Sequence, residues 1–286
     1  MNILLSKIGF IGAGKVGFSL GKLFAEGDIT VTGYYSRRRE DAQQAATFTG
    51  TKQYDGIEEL IHDSDVLFLT VPDGEITAVW ETLKNFEITN KIICHCSGAM
   101  TVSGAFPDID GHGAYGYSIH PLFPVNNKLT AYKELAGAFF CLEGDGRYMK
   151  EWQTLFASLG VRTQIISAEN KAKYHAACAI SSNLVCALVQ ESLDLLAGCG
   201  FSEENAIQAL APLINSNIQH IINDGVISAL TGPVERCDTD TVAKHLSCLP
   251  TESEREMYRY TSLKLLETAR RKNPDRDYSD MENILK

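Results

Sequence analysis

None of the eight cysteines stands in a C-x-x-C pair, so neither a zinc clamp nor a thioredoxin-like motif is indicated. Cys94-His95-Cys96 lies in an apolar, strand-like run, where the cysteines share one face and the histidine points to the other. Three ligands cannot converge from that alternation, and no metal site is expected. The thiols read instead as buried, reduced side chains of a cytoplasmic protein. Positive charge is also scarce. Lys and Arg number 26 against 36 Asp and Glu, a formal net charge of -10. The long-range field repels nucleic acid and anionic membrane surfaces, so neither is expected as a partner. No uninterrupted apolar run reaches about 18 residues, the length that suggests a membrane span. The apolar N-terminus is broken by Lys7, Lys15 and a series of glycines, which argues against a signal peptide. Internal repeats and low-complexity linkers are lacking too.

What is present fits an ordinary globular chain. It has 286 residues, 44% of them hydrophobic and 22% charged, enough for two domains with cores of their own. The stretch KIGFIGAGKVG runs from an apolar strand into Gly12-x-Gly14-x-x-Gly17 and then an amphipathic helix. Gly12 permits the tight turn, Gly14 lets a pyrophosphate reach the backbone, and Gly17 lets helix and strand pack closely. Lys15 and Val16 open the helix, whose N-terminal amides favour phosphate. A second strand, DITVTGYY, ends at the distance where many such sites place an acid for a ribose hydroxyl. The acid is missing; Ser36, Arg37, Arg38 and Arg39 stand there instead. Guanidinium groups match phosphate geometry, so the expected cofactor is NADP(H), with its 2′-phosphate on Ser36, Arg37 and Arg38. Arg39 fits equally well as the start of a solvated helix.

Strands and helices continue to alternate: DVLFLTV, KIICHCSGAM, AYGYSIHPLFPV, GAFFCLEG, the helix RYMKEWQTLFASLG and the strand RTQIIS. The spacing predicts a doubly wound, mostly parallel α/β domain over residues 1–167. In such a sheet the ligand crevice lies at the carboxyl ends of the strands, here at Val71, Pro72 and Ser97. From residue 168 to 286 the pattern is helical, and an all-α domain is expected. Its first helix carries Lys171, Tyr174, His175, Cys178 and Ser182 within one stripe about 100° wide. A solvated face or a structural histidine would also explain that stripe. Arg236, Asp238 and His245 follow the non-helical Thr231-Gly232-Pro233, where pairing or helix capping competes with a functional role. The last residues read as a polar tail. Apolar residues on more than one face of the C-terminal helices predict a homodimer.

These residues resemble a family. The Rossmann half is similar to the superfamily of 6-phosphogluconate dehydrogenase, pyrroline-5-carboxylate reductase and ketopantoate reductase. HCSGA, YSIHPL, YHAACAISSN and LTGPVERCD resemble an uncharacterised branch of it. Its members are described as NADP-dependent oxidoreductases with a C-terminal helical domain of unknown function 2520. The resemblance implies NADP(H) on Gly12, Gly14, Gly17 and the arginines, and a small-molecule site near His175, Asn183, Arg236 and Asp238. In the β-hydroxyacid dehydrogenases of the superfamily a lysine precedes an asparagine by four residues; here Lys171 precedes His175. The expectation is an NADPH-dependent reductase of a C=O or C=N group in a small, anionic substrate held in the cleft between the two domains. His175, with Lys171 or His120, is the expected proton donor, Arg236 the charge anchor and Asn183 the orienting group. The rival is an NADPH-binding sensor without turnover, which glycines and arginines fit equally well. A reductase that hands its hydride to a flavin or deazaflavin is a third possibility.

Overall fold

The computed structural model describes residues 7–286, which divide into two compact units, one ending at Ser182 and the other spanning Asn183–Lys286. In the first unit the strands are β1 (Lys7–Ile11), β2 (Thr30–Tyr35), β3 (Lys52–Gln53), β4 (Val66–Leu69), β5 (Ile92–His95), β6 (Tyr115–Pro121), β7 (Phe139–Gly144) and β8 (Arg162–Ile165). They form one sheet in the order β3-β2-β1-β4-β5-β6-β7-β8. Every pairing is parallel except β6 with β7. The order reverses between β1 and β4, so their carboxyl ends open a crevice between diverging connections. The helices are α1 (Lys15–Glu26), α2 (Arg39–Thr49), α3 (Ile57–Asp63), α4 (Asp73–Leu83), α5 (Val102–Ala105), α6 (Ala131–Leu135), α7 (Met149–Ser158) and α8 (Lys171–Ser181).

Both faces of the sheet are covered, and the strand period of two sorts the side chains between them. Phe10, Phe68 and Cys94 join Phe24, Trp152 and Phe156 on one face. Ile11, Leu67, Leu69 and Ile93 join Trp80 and Phe106 on the other. His95 lies on that second face, edge-on to Phe106, with ring centroids 5.4 Å apart. The expected strands are all present. The two-residue β3 and the short α3, α5 and α6 carry too little periodicity to read from sequence.

The second unit is helical: α9 (Asn183–Gly198), α10 (Glu203–Asp224), α11 (Val226–Ala229), α12 (Pro233–Arg236), α13 (Thr239–Cys248), α14 (Glu252–Lys272) and α15 (Ser279–Leu285). Its core gathers Val234, Val242, Leu266, Ala269, Tyr278, Met281 and Leu285. The expected polar tail is therefore corrected. Met281 and Leu285, one turn apart, are both buried and anchor α15 to that core, although polar residues outnumber them in the segment.

The helical stretch after residue 167 is not one continuous helix. It breaks at Ser182 (φ -126°, ψ -80°), where the two units divide. By compactness α8 thus groups with the sheet, whereas the sequence pattern suggests a division after residue 167. The same stretch, Ala168–Gly198, is long and apolar enough to cross a membrane, with a mean hydropathy of 1.3 over its most apolar window. Isolated polar residues hide that average from a search for continuous apolar runs. Its first half is nonetheless held to the sheet by Lys171, whose side chain is 1% exposed and donates to Ser118 Oγ.

Candidate active site

The glycine turn between β1 and α1 is shaped by Thr70 at the end of β4. Gly12 has φ +98°, and a Cβ there would stand 2.8 Å from the Thr70 carbonyl oxygen. The Thr70 hydroxyl donates to Gly12 O at 2.8 Å, and a Cβ on Gly17 would meet that hydroxyl at 2.5 Å. Gly14 is different. A Cβ there would meet only Thr70 O, at an ordinary 3.6 Å, so packing does not exclude a side chain and the open side faces the crevice. Gly14 is also the N-cap of α1, with no side-chain cap and no acid in the first turn. Those amides are left to an outside acceptor.

A cleft of about 690 Å³ runs along this turn, lined by Gly12, Gly14, Lys15, Ser36, Arg37 and Arg38, among others. Arg37 and Arg38 have side chains 81% and 77% exposed, and each makes one surface ion pair: Arg37 with Glu75 at 3.2 Å, Arg38 with Asp41 at 2.6 Å. Such pairs contribute roughly 0–1 kcal/mol and yield to a better anion. Arg39 begins α2, pairs with Asp55 and lies outside the cleft lining. The cleft has the glycine cradle, helix N-terminal amides and exposed guanidinium groups that a phosphorylated dinucleotide requires. Its residues fit NADP(H).

A second cleft, about 430 Å³, adjoins the first and shares Gly14, Lys15, Thr70, Val71 and Pro72 with it. Val16, Asp73, Cys96, Ser97 and His120 also line it. Ser97 Oγ donates to Asp73 Oδ2 at 2.5 Å and accepts from the amides of Ala99 and Met100. The Ser97 amide donates to His95 Nδ1 at 3.2 Å, so the buried His95 carries its proton on Nε2. Burial, with Lys171 and His120 nearby, lowers His95 to about 3. The Cys96 thiol is pushed up by burial to about 12, which keeps it protonated.

Ser118 and His120 project from the same face of β6, two residues apart, and α8 meets them at matching intervals. Lys171 donates to Ser118 Oγ, and Tyr174, three residues on, has its hydroxyl 2.6 Å from His120 Nδ1. Ser118 Oγ in turn donates to Ser97 O at 3.4 Å. Burial holds the Lys171 amine below its ordinary range, with Cys141 and Glu143 opposing the shift. Burial also lowers His120 to about 4, helped by Lys171 and His175. His175 is exposed, and its ring centroid is 6.3 Å from that of His120. Both rings press on Gly98: a Cβ there would lie 2.5 Å from His175 Cδ2 and 2.9 Å from His120 Nε2. A side chain at that position would push the rings aside.

Of the residues expected to act, His120, Lys171 and His175 therefore assemble beside the sheet, and His120 is the one that lines the cleft. Asn183, Arg236 and Asp238 belong to the second unit. Asp238 caps α13, accepting from the Thr241 amide at 3.1 Å and its hydroxyl at 2.8 Å, which accounts for it without a substrate. Sequence reading missed Thr70; it placed Asp73 and Gly98 at the strand ends beside the crevice without giving either a role. It also missed the pairing of His120 with Tyr174, although the two-residue and three-residue spacings that produce it stand in the sequence.

The fold and crevice define a Rossmann-type α/β unit followed by a helical unit. The chain matches the Rossmann-like domain over residues 3–121 and the domain of unknown function DUF2520 over residues 138–265. The two matches follow one another along the chain. Among solved structures it is similar to TM1727 from Thermotoga maritima, at 25% identity and a TM-score of 0.72, covering 92% of this chain and 98% of that one. BF3122 from Bacteroides fragilis, a proposed NADP oxidoreductase, is 19% identical with a TM-score of 0.69 over 93% of this chain and 100% of that one. A reductive aminase from Aspergillus terreus, in complex with NADPH and ethyl-5-oxohexanoate, is 17% identical with a TM-score of 0.65 over 98% of each chain. No curated protein matches the chain.

Proposed function

We propose that this protein is an NADPH-dependent reductase of a C=O or C=N group in a small molecule. One observation carries the reading: the cleft under the glycine turn and open arginines continues into a smaller cleft where His120 and Ser97 stand. Gly12, Gly14, Lys15, Val16 and Gly17 would hold the pyrophosphate, and Ser36, Arg37 and Arg38 the 2′-phosphate. Val71, Pro72 and Ser97 would line the path toward the smaller cleft. Bound there, the cofactor supplies a hydride. His120 faces the space beyond and would hydrogen-bond the acceptor oxygen or nitrogen, while Gly98 lets its ring come that close. Similarity to proteins described as NADP oxidoreductases and reductive aminases supports the chemistry.

The same reading makes the protein a homodimer. Exposed apolar residues along α9 to α11, including Leu184 (53%), Leu213 (67%) and Ile222 (68%), would be covered by a second copy.

The test follows NADPH absorbance during incubation with ketones, keto acids, and ketones plus primary amines, for the wild type and His120→Gln. Oxidation by the wild type, lowered about 10²–10⁴-fold in His120→Gln, is the expected result. His175→Ala should lose less than His120→Gln. NADPH binding without oxidation of any acceptor would favour a sensor.

A further inference from the structure

Lys171 is the most deeply buried cation of the first unit, and the proposed reaction gives it no substrate to touch. It is 1% exposed. It reaches Ser118 on β6, while Glu143 lies directly across the β6–β7 ladder from Ser118. A full charge is rarely placed so deep unless its field is used or it is paired. Its next turn bears Tyr174, and the following position on the β6 face bears His120.

We infer that Lys171 and Tyr174 are positioning residues for His120: the Tyr174 hydroxyl fixes its tautomer with Nε2–H toward the cleft, and the buried Lys171 ammonium disfavours a second positive charge beside it. The inference rests on the reductase reading for its purpose but not for its test. The 2.6 Å separation of Tyr174 Oη from His120 Nδ1 suits a phenol O–H donating to an imidazole nitrogen. Burial raises the Tyr174 hydroxyl far above its ordinary range, so it keeps its proton and is able to donate. With Nδ1 accepting, the ring's remaining proton must sit on Nε2, the atom that lies against Gly98.

The groups facing His120 act in both directions. Lys171 and His175 on α8 oppose its protonation, and Asp73 on α4 favours it. His95 on β5 lies close enough for His120 to disfavour its protonation. Cys141, directly across the ladder on β7, carries a thiol that burial keeps protonated and uncharged. Lys171 is the strongest opposing neighbour, after burial itself. His120 thus serves as a neutral hydrogen-bond donor over the whole range in which an ordinary histidine would titrate. A neutral donor polarises an acceptor without needing the enzyme to capture a proton first, so the donor stays available as pH rises through neutrality.

Histidine-selective ¹⁵N NMR of the full-length protein without cofactor tests this directly, with His120 assigned by the signal lost in His120→Gln. The expected wild-type spectrum shows the Nε2–H tautomer, with a titration midpoint at about 4. Lys171→Met should raise that midpoint by about one pH unit or more, and Tyr174→Phe should mix the tautomers. A wild-type midpoint near that of free histidine, or an Nδ1–H tautomer, would overturn the proposal. So would an unchanged midpoint in a folded Lys171→Met variant. If that variant does not fold, the wild-type tautomer and the Tyr174→Phe spectrum still decide. NADPH titrations of the same samples stand apart: failure to bind would remove the reductase reading while leaving the histidine measurement interpretable.

Discussion

The two units bury their apolar residues to very different degrees. In the first, two layers close over both faces of the sheet, and residues as large as Trp80 and Trp152 have no exposed surface. In the second, α9 buries none of its described residues and the 22-residue α10 buries only Ala206. The core of the second unit sits among α12 to α15 instead. The difference teaches that the two units are completed by different things. The first supplies its own core and a cleft with a polar floor. The second presents leucines and isoleucines at helical spacing that water does not stabilise, and burial of such faces is the main driving force for association.

The strongest way to break this comparison is to spoil the second unit's open faces. Leu213→Asp with Ile222→Asp should convert a dimer to a monomer by light scattering at micromolar concentration. It should also leave NADPH affinity within about threefold, a change of less than 1 kcal/mol. A wild type that is already monomeric would show that these faces are not completed by a second copy.

Acid should strain the first unit next. His95 and His120 have folded pKa values of about 3 and about 4, below the ordinary 6.5. Above 6.5 both are neutral in either state and their contribution is whole. As pH falls from 6.5 toward 4 the unfolded chain takes up protons that the folded one refuses, so stability drops. Each pKa unit is worth about 1.4 kcal/mol. Glu143, pushed up by burial, acts in the opposite sense. The melting temperature should therefore fall between pH 6.5 and 4, and less steeply in His120→Gln. Identical melting curves at both ends would contradict the neutral, buried state of these rings.

The smallest expected effect separates capping from catalysis. Asp238→Ala should cost about 1 kcal/mol of stability through the lost cap and leave NADPH oxidation unchanged per folded molecule. Loss of turnover with an unchanged melting temperature would give Asp238 a chemical role instead.

The first unit was far more legible in the sequence than the second. Most of its strands are short apolar runs, and KIGFIGAGKVG places the turn without ambiguity, since strand, glycines and helix succeed one another. The arginines could be read because an expected acid was missing from a known place. The polar stripe of α8 was visible, but not its division: Lys171 and Tyr174 turn toward the sheet while His175 stays exposed. Helical spacing gives the direction of a side chain but not what lies opposite it. The sequence therefore offers His175, Lys171 and His120 together as donors, and only the structure shows that His120 lines the cleft. In the second unit, the sequence left Asp238 between cap and chemical group, because the two share one residue type, and the structure shows the cap. Met281 and Leu285 looked like tail because two apolar residues among polar ones are enough to anchor a short helix.

The central claim is that the first cleft is built for a dinucleotide bearing a 2′-phosphate. Calorimetric titration of NADPH and NADH into the wild type and into Arg37→Ala with Arg38→Ala tests it most directly. Charge-assisted contacts to the phosphate are worth about 1.5–3 kcal/mol, roughly 10- to 100-fold in affinity. The wild type should therefore prefer NADPH by that factor, and the double variant should bind both cofactors equally, at the NADH level. Equal affinities in the wild type, or a preference that survives the loss of both arginines, would contradict the account.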